Sequence, residues 1–208
     1  MNGIVVAGIG TEIGKTFIAA ILTEALEADY WKPVQAGNLH FTDTDFVEQH
    51  ISNKKSVMHR EAYRLNTPMS PHAAAKIDGL TIDPRDLQVP GTGNRIVIEL
   101  AGGLMVPLNS NFLNTDLLKQ WGLPVVLVSR NYLGIINHTL LSVAVLRQYD
   151  VNLAGIIFNG PRNVSTEEFI LDYSGVKCLA RANEENEINR EVIKRYAEEW
   201  KNKLQTYL

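Results

Sequence analysis

Cysteine occurs once in this chain, at Cys178, so no intramolecular disulfide is open to it. With no partner pattern around that residue, a small apolar filler is a better reading than a nucleophile. The five histidines stand apart, and none forms the H-x-x-x-H spacing that holds zinc. A long basic run is missing as well. The 20 Lys and Arg are set against 23 Asp and Glu, a net charge of −3, which excludes the footprint of backbone-driven nucleic-acid binding and favours small-molecule partners. No apolar stretch is long enough to span a bilayer, and no basic n-region precedes the first strand, so neither a membrane span nor a signal peptide is expected and the location should be cytoplasmic. Internal repeats and low-complexity tracts are also lacking. What remains is 208 residues, 45% of them hydrophobic, enough for one sizeable core and hence a single domain over 1–208.

The chain is organised around Gly8-Ile9-Gly10-Thr11-Glu12-Ile13-Gly14-Lys15-Thr16, which follows the apolar run Ile4-Val5-Val6-Ala7 and opens the helical pattern Phe17 to Leu22. The order is strand, glycine loop, helix. Where a buried parallel strand meets a helix N-terminus, unpaired N–H groups and the positive end of the helix dipole converge on one concavity that suits phosphate. Lys15 can reach terminal phosphates, and the Thr16 hydroxyl can ligate Mg²⁺. The spacing departs from G-x-x-x-x-G-K-[ST], which would require glycine at position 9, where Ile9 stands.

Further along, Tyr30 to Gly37 reads as a second short strand turning at Pro33 and Gly37, with Lys32 near its end. Ligands of open parallel sheets bind at the carboxyl ends of strands, so Lys32 is either a second ligand cation or a solvated surface lysine. A polar segment leads into an amphipathic helix, Phe46 to Ile51. Asp43 and Asp45 are both candidates for its N-terminal carboxylate, as a simple cap or as an oxygen ligand for Mg²⁺. Ala62 to Leu65 suggests an edge strand, and Ser70 to Ala75 a helix with Pro71 in its first turn.

Arg95 to Glu99 is an apolar strand ending in an acid and followed by Ala101-Gly102-Gly103, which makes Glu99 the best metal-side carboxylate by position. The glycines either let backbone approach a ligand or simply turn the chain. A helix around Asp116 to Gln120, a strand Pro124 to Val128, a helix Ile135 to Arg147 and a strand Leu153 to Phe158 come next. A short segment near Gly175 to Leu179 and a charged helix, Ile188 to Lys203, end the chain. This alternation predicts an α/β fold, a mostly parallel sheet with helices on both faces, P-loop NTPase-like. At Asn159-Gly160, a turn and an adenine-reading amide are both open.

Taken together, Gly8-x-x-Thr11-Glu12-x-Gly14-Lys15-Thr16, Trp31-Lys32-Pro33-Val34-Gln35-x-Gly37, Thr44-Asp45, Ser70-Pro71-His72-x-Ala74, Glu99-x-Ala101-Gly102-Gly103 and Leu133-Gly134-x-Ile136-Asn137-His138-x-Leu140-Leu141 resemble the dethiobiotin synthetase family over about three quarters of the chain. The resemblance implies an ATP-dependent cyclo-ligase. Diaminopelargonate takes up CO₂ as a carbamate, ATP converts it to a carbamic-phosphoric mixed anhydride, and the second amine closes the ureido ring of dethiobiotin, releasing ADP and phosphate.

It further implies that Lys15, Lys32 and Thr11 are catalytic. Glu12, Ile13, Gly14, Lys15, Thr16, Phe17, Asp45, Glu99, Gly102, Asn159 and Gly160 would bind nucleotide, with Mg²⁺ on Thr16, Asp45 and Glu99. Thr11, Ala36 and Gly102 would face substrate, together with Gly134 and Asn137 supplied by the neighbouring copy of a homodimer. Three positions depart from the family pattern: Gly10 stands where Asp is frequent, Ala36 where a hydroxyl is frequent, and Leu100 where glycine is usual. The stretch Leu179 to Glu185 also lacks the family's Ile-Pro pair. A nucleotide-switch ATPase of the ParA or MinD type is the competing reading, but those proteins carry an extra lysine early in the loop, and positions 7–13 contain none. The synthetase part of a cobyrinate-type amidation enzyme is weakened by the absence of a glutaminase domain with its Cys nucleophile.

Overall fold

The computed structural model describes residues 2–207, and its elements alternate as the sequence pattern requires. In chain order they are β1 (Gly3–Gly8), α1 (Lys15–Leu26), β2 (Asp29–Trp31), β3 (Val34–Ala36), α2 (Asp43–His50), β4 (Met58–His59), β5 (Tyr63–Leu65) and α3 (Pro71–Ile77). Then follow β6 (Ile96–Glu99), β7 (Pro107–Asn109), β8 (Phe112–Leu113), α4 (Asn114–Trp121), β9 (Val125–Arg130), α5 (Ile135–Gln148), β10 (Leu153–Asn159), α6 (Val164–Ser174), β11 (Cys178–Ala182) and α7 (Arg190–Tyr207). Seven strands form one sheet in the order β11-β10-β9-β1-β6-β2-β4, and every pairing within it is parallel.

The central strand shows why. All six residues of β1 are buried, as befits a parallel strand covered on both faces. Its side chains alternate: Ile4 and Val6 enter one core with α1 and α7, whereas Val5 and Ala7 enter the other, beneath α4, α5 and α6. Each fully buried Val or Ile is worth roughly 1.5–3 kcal/mol, so the two faces of the sheet carry much of the stability. On the α1 side the Phe17 ring meets Tyr196 of α7 edge-on, with centroids 5.9 Å apart.

Register then sets the functional edge. Val6 lies opposite Glu99 on one side, and Gly8 lies opposite Val128 on the other. Trp31 of β2 pairs with Ile98, so the glycine loop, Glu99 and Lys32 emerge together at one end of the sheet.

Local structure differs from the sequence reading at several places. The second strand is broken at Lys32-Pro33, and its second half, β3, pairs with β5 in a separate two-stranded sheet. Helix α2 begins three residues early, at Asp43, because Thr42 caps it in a reciprocal box with Asp45. Pro107–Asn109 and Phe112–Leu113 form an antiparallel hairpin, β7–β8. Finally, α6 had no apolar stripe to announce it: Val164, Phe169 and Tyr173 are exposed while Glu167, Ile170 and Ser174 face inward.

Candidate active site

The glycine loop reaches α1 through Gly14, which caps the helix at φ 87°, a left-handed conformation that favours glycine. Space forbids a side chain there as well, since a Cβ would lie 2.1 Å from Asn159 Nδ2. That amide donates to Ile13 O at 2.8 Å, so the end of β10 clasps the loop from the side. Lys15 is buried and donates from Nζ to Gly10 O at 2.7 Å. Burial, then the neighbouring Lys32, lower its pKa to about 8, against the pull of Glu99 and Asp43.

Across the cleft, Glu99 is the hub. Its Oε1 accepts from Thr16 Oγ1 at 2.9 Å and from Lys32 Nζ at 2.9 Å, while Oε2 accepts from Tyr30 Oη at 2.8 Å. Lys32 also lies 2.5 Å from Asp43 Oδ2. Burial alone would depress the Lys32 pKa, but Glu99 and Asp43 outweigh it and hold the ammonium above the ordinary lysine value. Both lysines thus line one cleft of about 720 Å³, with Thr11, Glu12, Gly14, Thr16, Ala36, Asp43, Glu99 and Gly102 around them.

The donors on this wall, a threonine hydroxyl and two carboxylates, are hard oxygens of the kind Mg²⁺ prefers. No group of three or more His, Cys, Asp or Glu side chains that could cage a metal occurs among the described residues. An ion here would complete its shell with nucleotide oxygens and water, the usual habit of Mg²⁺.

Several residues assigned from the sequence make side-chain contacts outside the cleft. Asp45 is exposed, and its Oδ2 accepts from the Thr42 backbone N–H and hydroxyl, both at 2.7 Å, which hold its carboxyl below the usual range. It is a helix cap, and Asp43 is the acid turned into the cleft. The Phe17 ring belongs to the core. The Asn159 amide nitrogen donates to the loop at Ile13 O, and a Cβ on Gly160 would meet the Arg130 side chain, which itself lines the cleft. Leu100 turns into the core rather than the cleft.

Gly134 and Asn137 are exposed at the start of α5 and line a separate apolar groove with Leu133, Ile136 and Leu141. Two residues, one in the cleft and one behind it, carried no assignment from the sequence. Arg130, at the end of β9, lines the cleft and pairs with Glu184 at 2.8 Å, two residues beyond where the sequence pattern closed the strand. Tyr30 had been read only as part of a strand.

Fold and cleft define the class as a P-loop NTPase, and solved structures agree at the level of fold. The cell division ATPase MinD of Pyrococcus furiosus aligns over the whole of both chains with a TM-score of 0.65 at 13% identity. A ParA family ATPase of Chlorobium tepidum covers 99% of this chain and 92% of its own, with a TM-score of 0.57 at 12% identity.

Sequence relatives narrow the class. The ATP-dependent dethiobiotin synthetase of Christiangramia forsetii is 49% identical over 199 residues, 96% of each chain. That of Cytophaga hutchinsonii is 46% identical over 92% of this chain and 93% of its own. A family model described as an AAA domain matches residues 2–192. The chain belongs to the ATP-dependent dethiobiotin synthetase family.

Proposed function

We propose that the cleft closes the ureido ring of dethiobiotin, with residue roles assigned by its geometry. A carbamate formed from CO₂ and one amine of 7,8-diaminopelargonate attacks the γ-phosphorus of ATP, and ADP leaves. The second amine then attacks the carbamoyl carbon of the mixed anhydride, and phosphate leaves. Little covalent chemistry is asked of the protein, so catalysis rests on positioning and on cations aimed at the transferring group.

The observation that carries this reading is the convergence of Lys15 and Lys32 on one cleft beside Glu99. Lys15 leaves the Gly10 carbonyl for the terminal phosphates. Lys32, kept protonated by Glu99 and Asp43, faces the carbamate. Thr11, Ala36 and Gly102 form the substrate wall. Thr16, Asp43 and Glu99 hold Mg²⁺, which, when bound, neutralises charge on phosphate oxygens. Gly134, Asn137 and the fully exposed Leu133 support a homodimer in which this edge completes the neighbouring copy's substrate site. No helix among the described residues is long and apolar enough to cross a membrane, which fits a cytoplasmic enzyme acting on small molecules.

Incubation with ATP, Mg²⁺, bicarbonate and diaminopelargonate should yield the cyclic urea by mass spectrometry, and Lys15→Ala should abolish it. Near-normal turnover by that variant, or phosphate release indifferent to the diamine, would overturn the reading.

A further inference from the structure

Glu99 is buried to 1% exposure, and both of its oxygens are engaged, though by groups of different kinds. Oε1 meets Thr16 and Lys32, residues that line the cleft, whereas Oε2 meets only the phenol of Tyr30. Tyr30 is not a cleft residue. It is 0% exposed and stands in the core between the sheet and α1.

The strand register explains the contact. Tyr30 pairs with Val97 on β6, and Val97 and Glu99 project from the same face. A ring at position 30 therefore runs diagonally toward the carboxylate, and only a side chain of tyrosine length ends in a donor there. Phenylalanine would fill the ring space equally well, so the hydroxyl is explained by the carboxylate and not by packing.

We infer that Tyr30 is a positioning residue, whose hydroxyl locks Glu99 so that Oε1 alone is presented to the metal side of the phosphate site. The inference rests on the reading of Glu99 as a metal-side acid. A carboxylate held at one oxygen keeps the other in a fixed place and direction, and groups that orient metal-binding carboxylates in this way typically change metal affinity or activity 10–100-fold when removed. Without the phenol, Oε2 is left buried and unpaired, and the group gains by rotating to share Thr16 and Lys32 between its oxygens.

The test compares wild type, Tyr30→Phe and Glu99→Gln by two readouts. One is the Mg²⁺ concentration giving half-maximal formation of the cyclic urea. The other is the gain in affinity for a non-hydrolysable ATP analogue when Mg²⁺ is added, measured by calorimetry. For Tyr30→Phe, the half-saturating Mg²⁺ should rise about tenfold and the metal-dependent gain should shrink about tenfold, with metal-free nucleotide affinity unchanged.

Introducing 4-aminophenylalanine at position 30 restores a donor and should bring both values back, while 4-methylphenylalanine, of similar shape but without a donor, should not. This pair decides the matter if Tyr30→Phe fails to fold. Wild-type metal readouts in the folded donor-less variants, alongside shifted ones in Glu99→Gln, would overturn the role of Tyr30 alone. Unshifted readouts in Glu99→Gln would instead remove Glu99 from the metal side, and the inference with it.

Discussion

Lys32 Nζ lies 2.9 Å from Glu99 Oε1, and both side chains are almost wholly removed from solvent. Neither tolerates isolation, because an ionised group left unpaired in the interior loses its hydration with nothing in return. Lys32→Met should therefore lower the unfolding free energy by about 3–5 kcal/mol, read from urea denaturation, and remove ring closure at the same time. A variant of near-native stability would show that Glu99 is not held as an ion by this pair.

Asp43 and Asp45 sit two residues apart in the first turn of α2 and should separate cleanly. Asp43 contacts Lys32 in the cleft, whereas Asp45 closes a capping box with Thr42. Asp45→Asn should cost about 1 kcal/mol of stability, the usual scale for a cap, and leave kcat/KM for ATP close to wild type. Asp43→Asn should reduce kcat/KM at least tenfold with a smaller effect on melting. The reverse pattern would restore Asp45 as the metal-side acid.

This pair also shows where sequence reading reached its limit. The phosphate loop was legible because its chemistry is local: an apolar strand, glycines, then Lys15 and Thr16 within one turn. Lys32 and Glu99 were legible at one remove, through the rule that ligands gather at the carboxyl ends of parallel strands. Asp43 and Asp45 differ by about 200° around a helix, and composition does not say which of them faces inward. The Thr42-x-x-Asp45 spacing was the available clue, since a capping box claims its own acid. Helix α6 escaped because Val164, Phe169 and Tyr173 point outward while Glu167 and Ser174 share the inward face with Ile170, and Arg130 because β9 runs two residues past its last valine.

Stability should depend on acid through Glu24, far from the cleft. Burial would raise its pKa, but hydrogen bonds from the Ser52 side chain and from the Ser52 and Asn53 backbone outweigh that and hold it below the ordinary value of 4.5. A depressed carboxylate stabilises the fold fully above its unfolded pKa and loses that contribution as pH falls through the folded one. The melting-temperature difference between wild type and Glu24→Gln should thus be constant above about pH 5.5 and shrink steadily below about pH 4.5. A difference that does not vary with pH would mean that Glu24 is not ionised in its Ser52-Asn53 nest.

The edge formed by Leu133, Gly134 and Asn137 calls for a test that two inactive proteins can supply together. Neither Gly134 nor Asn137 is among the residues lining the cleft of its own chain, and the proposed homodimer would give them a part at another copy's site. Lys15→Ala breaks a site from within, while Asn137→Ala would break the site of the neighbouring copy. In a dimer with two equivalent sites, a chain carrying one change and a chain carrying the other leave one site doubly damaged and one intact. Random reassortment of equal amounts makes half the dimers mixed, so activity should recover to roughly a quarter of wild type. Leu133→Glu, which places a charge at the most exposed leucine of that edge, should give a monomer in sedimentation and prevent the recovery. Two inactive proteins that stay inactive when mixed, despite exchanging subunits, would confine α5 to its own chain.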